Sequence, residues 1–327
     1  NYPEMGPPEK NELIQNMIPK IDAETFEAVS CDHSPELEWC PPGHGDIYAA
    51  LLGTGMLDTL VDSGVKYAFI SNSDNLGATL DFELLNEFLN SDSSFMMEVT
   101  RRTDVDKKGG HLAKDSRNGN LLLREVAQCP EEDFNEFQNV NKHRYFNTNN
   151  IWIRLDRLRS LMRSSDNNLN LPLIINRKNL NPSDSQSSKV IQIEVAMGAA
   201  IQCFEDSTVI EVPRSRFSPV KSCEDLLALR SDAYQVSDDF EIQLCESRGG
   251  VPPKVGLSDE IYKNYKTFEE MTPYGPPSLK KCKSIQVEGP VRFGKEISFQ
   301  GTITITNDSK LVKEISSGEY IENNIVL

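Results

Sequence analysis

Four short polar clusters in this sequence of 327 residues combine side chains that bind anions, metal ions or sugars. The first is Pro-Pro-Gly-His-Gly-Asp, at residues 41–46. Glycines let a backbone approach a ligand closely, and a helix that begins just after them offers unpaired N–H groups. Gly43 and His44 could therefore contact a phosphate or a base edge. The same residues would also suit an ordinary turn in which Asp46 caps the helix.

The second cluster, Ser-Asn-Ser-Asp-Asn at residues 71–75, follows an apolar segment typical of a buried strand. Ligands of open α/β sheets bind outside the carboxyl ends of the strands, so a functional carboxylate is expected here. Asp74, which follows Asn72 and Ser73, would suit Mg²⁺, because this ion commonly takes one or two carboxylates together with phosphate oxygens. The alternative is an Asn/Asp turn without a ligand.

The third cluster, Val-Pro-Arg-Ser-Arg-Phe-Ser-Pro-Val-Lys-Ser at residues 212–222, places Arg214, Arg216 and Lys221 on one short loop. The chain has 34 basic and 50 acidic side chains, a net charge of −16, so such a group of cations is unusual in it. The pattern favours an anion site. A solvated basic turn is the alternative.

The fourth cluster, Tyr-Phe-Asn-Thr-Asn-Asn at residues 145–150, places the side-chain amides of Asn147, Asn149 and Asn150 at the end of a predicted strand. These amides could bind sugar hydroxyls, or could cap a helix that begins near Ile151. The residues alone favour capping. Gly110 and Glu125 are open to either a binding or a structural role.

The elements that must position these clusters alternate between strand and helix patterns. Helices are predicted at residues 46–65, with an interruption near Gly53 and Gly55, and at residues 78–90, near 151, and at 190–204. Residues 65–75 are typical of a buried strand that stops on polar residues, and a further strand is predicted at 94–100. Residues 121–128 close a polar, hairpin-rich segment, residues 171–181 are extended, and another strand begins near residue 208. This order indicates an α/β domain with a largely parallel sheet.

The composition changes near residue 240. We predict a catalytic domain at residues 1–240, a Pro- and Gly-rich linker at 241–282 and a C-terminal domain at 283–327. Apolar residues there recur at a spacing of about six, at Val287, Phe293, Phe299 and Ile305. The spacing favours a short β-helix or β-roll. An antiparallel meander is the alternative.

The overall charge and the cysteines limit the class of partner. A net charge of −16 argues against nucleic acid and anionic membranes, which bind basic surfaces. No apolar run in the sequence is long enough to cross a bilayer. The 7 cysteines are scattered, odd in number and without a Cys-x-x-Cys motif, so we expect reduced thiols in a cytoplasmic protein.

Together the motifs resemble, in order, those of the eukaryotic-type UTP–glucose-1-phosphate uridylyltransferases, or UDP-glucose pyrophosphorylases. The motifs are PPGHGDIY, FISNSDNLGAT, MEVT, KGG, EVAQ, FNTNNIW, AMGAA, VPRSRFSPVK and VEGPVRFGKEISFQGT. Ser73 departs from the aliphatic residue usual in animal members, and Ser218 from a common leucine. The resemblance implies a glycosyltransferase-A-like mixed-sheet α/β domain followed by a C-terminal left-handed parallel β-helix.

The resemblance also implies the reaction of UTP with glucose 1-phosphate to give UDP-glucose and pyrophosphate, with Mg²⁺ as cofactor. Carried over by motif, Lys221 is the catalytic lysine and Asp74 the metal ligand. The implied substrate-binding residues are Gly43, His44, Asn72, Ser73, Asp74, Gly110, Glu125, Asn149, Arg214 and Arg216.

Other functions stay open at this stage. Members of the family carry a Gly-Gly-x-Gly-Thr nucleotide loop that this sequence lacks, so we expect that an N-terminal part is absent. A related UDP-sugar or UDP-N-acetylhexosamine pyrophosphorylase is one alternative, although the latter usually has an asparagine in the glycine turn around His44. The other is a catalytically impaired module that binds sugar phosphates and assembles, for example as a homo-oligomer through the β-helix.

Overall fold

The computed structural model describes residues 11–103, 106–107 and 109–327. Residues 1–10 of the predicted catalytic domain and Lys108 of the Lys-Gly-Gly motif lie outside these ranges. The chain divides into two compact units. The first is Asn1–Ser71 with Leu80–Val212, and the second is Asn72–Thr79 with Pro213–Leu327. The second unit therefore includes a short segment from the first third of the chain, which the sequence patterns did not indicate.

The first unit holds three sheets and five α-helices among its described residues. Its strands are β1 (Ile18–Pro19), β2 (Ile21–Asp22), β3 (Trp39–Cys40), β4 (Tyr67–Ile70), β5 (Phe95–Arg101), β6 (His111–Lys114), β7 (Leu121–Arg124), β8 (Tyr145–Arg154), β9 (Leu173–Asn179), β10 (Lys189–Val195) and β11 (Thr208–Glu211). Its helices are α1 (Ile47–Gly53), α2 (Met56–Asp62), α3 (Phe82–Asn90), α4 (Phe134–Phe137) and α5 (Leu155–Ser164).

The central sheet of this unit has the order β11-β5-β8-β6-β7, and β4 also pairs with β8. The prediction of a largely parallel sheet is wrong. Only β11 and β5 pair in parallel, whereas β4, β5 and β6 all run antiparallel to β8. An apolar run shows that both faces of a strand are covered, but it does not show the direction of the neighbouring strand.

Two predicted helices are corrected by the structure. Residues 190–204 form the strand β10, paired antiparallel with β9, and then 3₁₀ turns over Met197–Cys203. The segment Val-Ile-Gln-Ile-Glu-Val is rich in β-branched residues, which favours a strand. The helix predicted near Ile151 begins only at Leu155, because β8 continues to Arg154. Asn149 therefore lies inside a strand and caps no helix.

The interrupted helix at residues 46–65 is confirmed. Helix α1 ends at Gly53 and α2 begins at Met56, with Gly55 between them at a left-handed φ of 76°. Glycine occupies that conformation without the strain that a Cβ would add. The break lets the chain change direction, so α2 can contact α5.

Both faces of β8 are buried, which fixes the strand that carries the asparagine cluster. On one face Ile151 and Ile153 belong to the main apolar core of the unit. On the other face Trp152 packs with Phe88 and Met96. Each fully buried side chain of this size contributes about 1.5–3 kcal/mol to the hydrophobic stabilisation. The start of β8 is thereby anchored by its own C-terminal half.

The second unit is built mainly of parallel strands. They are β12 (Tyr234–Val236), β13 (Ile242–Leu244), β14 (Lys254–Leu257), β15 (Ser278–Glu288), β16 (Val291–Phe293), β17 (Ile297–Thr306), β18 (Lys313–Ile315), β19 (Gly318–Ile321) and β20 (Asn324–Val326). The helices are α6 (Cys223–Arg230), α7 (Asp259–Tyr262) and α8 (Tyr265–Met271). Strand β17 pairs in parallel with β15, β19 and β20, so the antiparallel meander is wrong.

The apolar repeat of about six residues lies in the core of this second unit. Val287, Phe293, Phe299 and Ile305 are each at most 1% exposed and belong to one apolar cluster. Residues 241–282, predicted as a linker, instead contain β13, β14, α7, α8 and the start of β15. Phe268 and Met271 are buried in the same cluster. Proline, glycine and charge at the ends of these short elements obscured their apolar pattern.

All seven cysteines are free thiols. Among the described residues, no helix has the length and apolar character needed to cross a membrane.

Candidate active site

The turn at Gly43 is shaped by the backbone of β10. Gly43 has a φ of +85°, and a Cβ on it would lie 2.6 Å from the carbonyl oxygen of Val195. Only glycine fits this approach without displacing backbone. A 3₁₀ turn over His44–Asp46 follows, and α1 begins at the next residue. The fold therefore requires glycine at residue 43 for a structural reason, in addition to the predicted ligand contact.

Asp46 does not cap α1 through its side chain, so that alternative is wrong. Its carboxylate accepts hydrogen bonds from the Asn16 backbone N–H at 2.8 Å and from the Asn16 side-chain Nδ2 at 2.9 Å. The preceding residue, Gln15, donates through its side-chain Nε2 to the carbonyl oxygen of Gly43 at 2.6 Å. Residues 15 and 16 thus hold the turn, which sequence reasoning missed because the contact spans 28 residues.

His44 has a defined tautomer. Its Nδ1 accepts a hydrogen bond from the backbone N–H of Met197 at 3.0 Å. A backbone N–H can only donate, so in the neutral ring the proton is on Nε2. His44 can therefore donate through Nε2, which is what binding of a phosphate oxygen requires.

Asn149 is held in an uncommon backbone conformation by Asn147. The φ of Asn149 is 59°, in the left-handed region. Its backbone N–H donates to Oδ1 of Asn147 at 2.8 Å, and Nδ2 of Asn147 donates to Oδ1 of Asn149 at 2.7 Å. Gly198 lies against both amides, since a Cβ on it would be 2.8 Å from the Asn147 Nδ2 atom. Because Gly198 follows Met197, this pair is next to the His44 contact.

Gly110 and Glu125 lie against each other at the β6–β7 hairpin. A Cβ on Gly110 would be 2.5 Å from Oε1 of Glu125, and the Gly110 carbonyl oxygen accepts from the Asn147 N–H at 3.3 Å. Burial raises the pKa of Glu125 to about 7. The carboxyl is therefore protonated more readily than an ordinary glutamate, and in its protonated form it can donate to a hydroxyl as well as accept from one.

Four predicted site residues of the first unit thus lie along one line of contacts. The line runs from Glu125 and Gly110 through Asn147 to Asn149, and then through Gly198 and Met197 to His44. Two of its members, Met197 and Gly198, were not predicted as site residues, and Asn147 was a candidate only as one of the amides of the fourth cluster. The AMGAA motif contained the first two, but only the fold shows what they contact.

In the second unit, Asn75 joins the loop 72–79 to the loop 213–221. Its Oδ1 accepts from the Ser218 N–H at 2.8 Å, and its Nδ2 donates to the Arg216 carbonyl oxygen at 3.0 Å. The Asp74 carbonyl oxygen accepts from the Val220 N–H at 2.9 Å. The Asp74 backbone is therefore hydrogen-bonded to the residue just before Lys221. This is the proximity expected of two residues that belong to one site.

The side chain of Asp74 has the character of a cation ligand. Its Oδ1 atom is buried and has no hydrogen-bond partner among the described residues. A buried carboxylate oxygen without a partner is costly, and a bound cation would compensate that cost. Within the described parts of the chain, no group of three or more His, Cys, Asp or Glu residues has metal-binding geometry. Any Mg²⁺ here would take further ligands from substrate and water.

The three cations of the third cluster have different surroundings. Arg216 is 8% exposed and donates to the Thr79 carbonyl oxygen at 2.9 Å, so it supports the loop 72–79. Arg214 lies over the ring of Phe217 at 5.3 Å. Lys221 is exposed, and its backbone N–H donates to Asp225 at the start of α6. The structure thus supplies a structural role for Arg216 beside the predicted anion contact.

Asn72 and Ser73 complete the predicted set. Asn72 is partly buried, and its carbonyl oxygen accepts from the Asn75 N–H at 3.1 Å, which closes the turn at residues 72–75. Ser73 is exposed at the tip of that turn. Both therefore belong to the same loop as Asp74.

The mixed sheet of the first unit and the helices around it place the chain in the α/β class. Within that class the sequence family is clear. A family model described as UTP–glucose-1-phosphate uridylyltransferase matches residues 9–300, and the chain belongs to that family.

Individual relatives agree with this family. The chain is 37% identical over 313 residues to the UTP–glucose-1-phosphate uridylyltransferase of Musa acuminata, covering 95% of this chain and 65% of the relative. It is 36% identical to that of Saccharomyces cerevisiae, covering 95% of this chain and 61% of the relative. The chain thus spans less than two thirds of the length of these curated relatives.

Solved structures agree on the fold. A variant of UDP-glucose pyrophosphorylase from Leishmania major, in complex with UDP-glucose, superposes with a TM-score of 0.90 at 46% identity. The UDP-glucose phosphorylase of Trypanosoma brucei gives a TM-score of 0.89 at 48% identity. Each match covers all of this chain and 71% of the solved chain.

Proposed function

We propose that the chain carries out, or forms most of the site for, the reaction of UTP with glucose 1-phosphate to give UDP-glucose and pyrophosphate. The observation that supports this most directly is the line of contacts from His44 through Asn149 to Glu125 in the first unit. It combines a donor suited to a phosphate with amide and carboxyl groups suited to sugar hydroxyls. Membership of the family supplies the particular substrates.

The chemistry is an in-line displacement at phosphorus. A phosphate oxygen of glucose 1-phosphate forms a bond to the α-phosphorus of UTP, and the bond from that phosphorus to the pyrophosphate oxygen breaks. The electron pair leaves with pyrophosphate. The attacking oxygen is already anionic, so the reaction needs no protein base. Catalysis therefore depends on alignment and on neutralising negative charge.

Each proposed residue acts on one of these two requirements. Lys221 offsets charge on the reacting phosphates, and His44 donates through Nε2 to a phosphate oxygen on the sugar side. Asn149 and Glu125 hold the hexose so that its phosphate points at the nucleotide. Gly43, Gly110, Asn72, Ser73, Arg214 and Arg216 are proposed as further substrate contacts.

Mg²⁺ fits the Asp74 carboxylate, because one oxygen of that group is buried without a partner among the described residues. When bound, the ion would supply positive charge that polarises phosphate oxygens. Asp74 itself would hold the ion, and the hydrogen bond from Val220 to the Asp74 carbonyl oxygen would fix the position of the loop.

The architecture and location are proposed on the same basis. The mixed sheet of the first unit is compatible with a glycosyltransferase-A-like domain. The parallel pairings of β15, β17, β19 and β20 support a C-terminal left-handed parallel β-helix. Homo-oligomers would form through that β-helix. Seven free thiols are consistent with a cytoplasmic protein.

The direct test measures pyrophosphate release from UTP and glucose 1-phosphate, with and without Mg²⁺. We expect release that depends on Mg²⁺, and an Asp74→Asn variant that needs far more Mg²⁺ for its half-maximal rate. N-acetylglucosamine 1-phosphate in place of glucose 1-phosphate should react poorly. Binding of UDP-glucose without turnover would instead favour the sugar-phosphate-binding module.

A further inference from the structure

The strand β8 carries an irregularity at the asparagine cluster. In its pairing with β5, Met97 pairs with Ile151 and Val99 pairs with Asn147. One residue of β5, Glu98, therefore faces the three residues 148–150 of β8. Bulges of this kind break the alternation of side chains and occur beside active sites, where they re-aim a side chain.

Glu98 anchors this bulge through both its side chain and its backbone. It is fully buried, and its carboxylate accepts from Asn150 Nδ2 and from Trp152 Nε1, each at 2.9 Å. Its carbonyl oxygen accepts from Thr148 Oγ1 at 2.7 Å. Hydrogen bonds to a buried carboxylate are stronger than neutral ones. The bulge is thus a fixed feature of the strand.

Asn147 determines which end of the Asn149 amide remains for a ligand. The Asn149 backbone N–H can only donate, so the Asn147 atom that receives it must be the amide oxygen. The other end of the Asn147 amide is then the donor, and the Asn149 atom that receives it must be an oxygen. This bond uses one acceptor site of the Asn149 oxygen and turns that oxygen toward Asn147, whereas both N–H groups of its Nδ2 take no part in the pair.

Gly198 packs onto this pair and limits its movement. A Cβ at residue 198 would lie 2.8 Å from Nδ2 of Asn147 and 3.2 Å from Oδ1 of Asn149. Such contacts are too short for a methyl group, so the amides would have to shift. The pair is therefore held by hydrogen bonds on one side and by backbone on the other.

We propose that Asn147 is a positioning residue that makes Asn149 a hydrogen-bond donor toward the sugar. This inference rests on the proposed function, because it takes the hexose of glucose 1-phosphate as the ligand of Asn149. The hydroxyl that meets Asn149 is then used as an acceptor. Asn147 acts through Asn149 and needs no contact with the substrate.

The test uses a series of monodeoxy and monodeoxyfluoro analogues of glucose 1-phosphate. Fluorine accepts a hydrogen bond weakly but cannot donate one. At the ring position that faces Asn149, the fluoro analogue should therefore bind the unchanged chain more tightly than the deoxy analogue. A difference of about two- to tenfold in Kd is expected for one such contact. Titration calorimetry on the full chain, with UTP present and Mg²⁺ left out so that no turnover occurs, gives the Kd values.

The informative variant is Asn147→Asp. Its carboxylate still accepts the Asn149 N–H, so the bulge keeps its shape, but it has no proton to donate. The Asn149 amide should turn its Nδ2 toward the carboxylate introduced at residue 147 and present its oxygen to the sugar. The fluoro analogue should then lose its advantage over the deoxy analogue. Asn118→Asp is the matched control, because Asn118 is exposed and its side chain accepts from the Asn120 N–H.

Gly198→Ala is a second variant that leaves both asparagines in place, and it should weaken the same fluorine preference. Loss of the preference in both variants, with cooperative unfolding retained and a normal Asn118→Asp control, supports the proposal. A fluorine preference that survives Asn147→Asp overturns it. A chain that binds glucose 1-phosphate but shows no fluorine preference at any position also overturns it. Failure of the unchanged chain to bind any sugar phosphate would instead contradict the proposed function, and the inference with it.

Discussion

The His44 side chain and the Met197 backbone, 153 residues apart in sequence, are joined by a hydrogen bond of 3.0 Å between Nδ1 and N–H. The bond connects the glycine turn before α1 to the segment that packs on Asn147 and Asn149. It also separates the two nitrogens of His44 by role, since Nδ1 holds the fold and Nε2 carries the proton. The two roles can therefore be tested by different substitutions.

His44→Asn should keep the hydrogen bond from Met197 and lose the reaction. The asparagine Oδ1 can take the place of Nδ1 as acceptor for Met197, but the shorter side chain has no donor at the position of Nε2. Loss of one donor to a reacting phosphate typically costs about 10²–10³ in rate. Steady-state pyrophosphate release measures this, with the melting temperature as control. His44→Gln is the converse variant, and it should be the less stable of the two because it leaves the buried Met197 N–H without its acceptor.

Lys221→Ala should lower kcat by a factor of about 10²–10³ without changing stability. The Lys221 side chain is exposed, and the hydrogen bond to Asp225 comes from its backbone, so α6 keeps its cap. Lys266→Ala is a matched control, because Lys266 is exposed and its backbone N–H similarly donates to Asn264 at the start of α8. Equal rates for the two variants would contradict the role of Lys221.

How much of the fold and of the candidate site could be predicted from the sequence depends on how far apart in sequence the contacting residues are. The loops with His44, Asp74 and Lys221 could be predicted as candidate sites because glycine, charge and strand ends are local signals. The antiparallel direction of β4 against β8 could not, because periodicity carries no information about a partner strand. The contacts of Asn75, Asn147 and Gly198 were missed for a related reason. These contacts reach across the fold, and each residue type alone suits an ordinary turn.

The Glu125 carboxyl should make stability fall as pH rises toward neutrality. Burial raises its pKa to about 7, above the ordinary value of 4.5. Between these two values Glu125 therefore binds more protons in the folded chain than in the unfolded chain. Its stabilising contribution is therefore complete below about pH 4.5 and is lost as pH rises through about 7. The slope is at most about 1.4 kcal/mol for each pH unit.

Glu125→Gln isolates this effect, since it keeps the shape of the side chain and removes the titration. Denaturant unfolding of both chains between about pH 4.5 and 8 gives the difference in free energy of unfolding. The comparison is needed because His111 acts in the opposite direction. Burial lowers its pKa to about 3, so protonation of the unfolded chain below about pH 6.5 disfavours folding. A difference between the two chains that does not change with pH would contradict the raised pKa of Glu125.

Gly77→Ala should separate the Asp74 loop from the loop of Arg216. A Cβ at residue 77 would lie 2.2 Å from the carbonyl oxygen of Ser215 and 2.8 Å from the carbonyl carbon of Arg216. Both are backbone atoms of the loop to which Asn75 is hydrogen-bonded, so they can move aside only if that loop shifts. Overpacking of this kind typically costs about 1–3 kcal/mol. We expect a lower free energy of unfolding and, because Asp74 is in the same loop, a higher Mg²⁺ requirement for turnover.

Gly53→Ala provides the control for that substitution. A Cβ at residue 53 meets no described atom within 4 Å, and this glycine has no positive φ, so alanine should be neutral or slightly stabilising there. If Gly77→Ala behaved like Gly53→Ala in both unfolding and Mg²⁺ titration, the close approach of the two loops would not be what positions Asp74. A Mg²⁺ requirement raised only in Gly77→Ala would connect the packing of one glycine to the proposed metal ligand Asp74, three residues away.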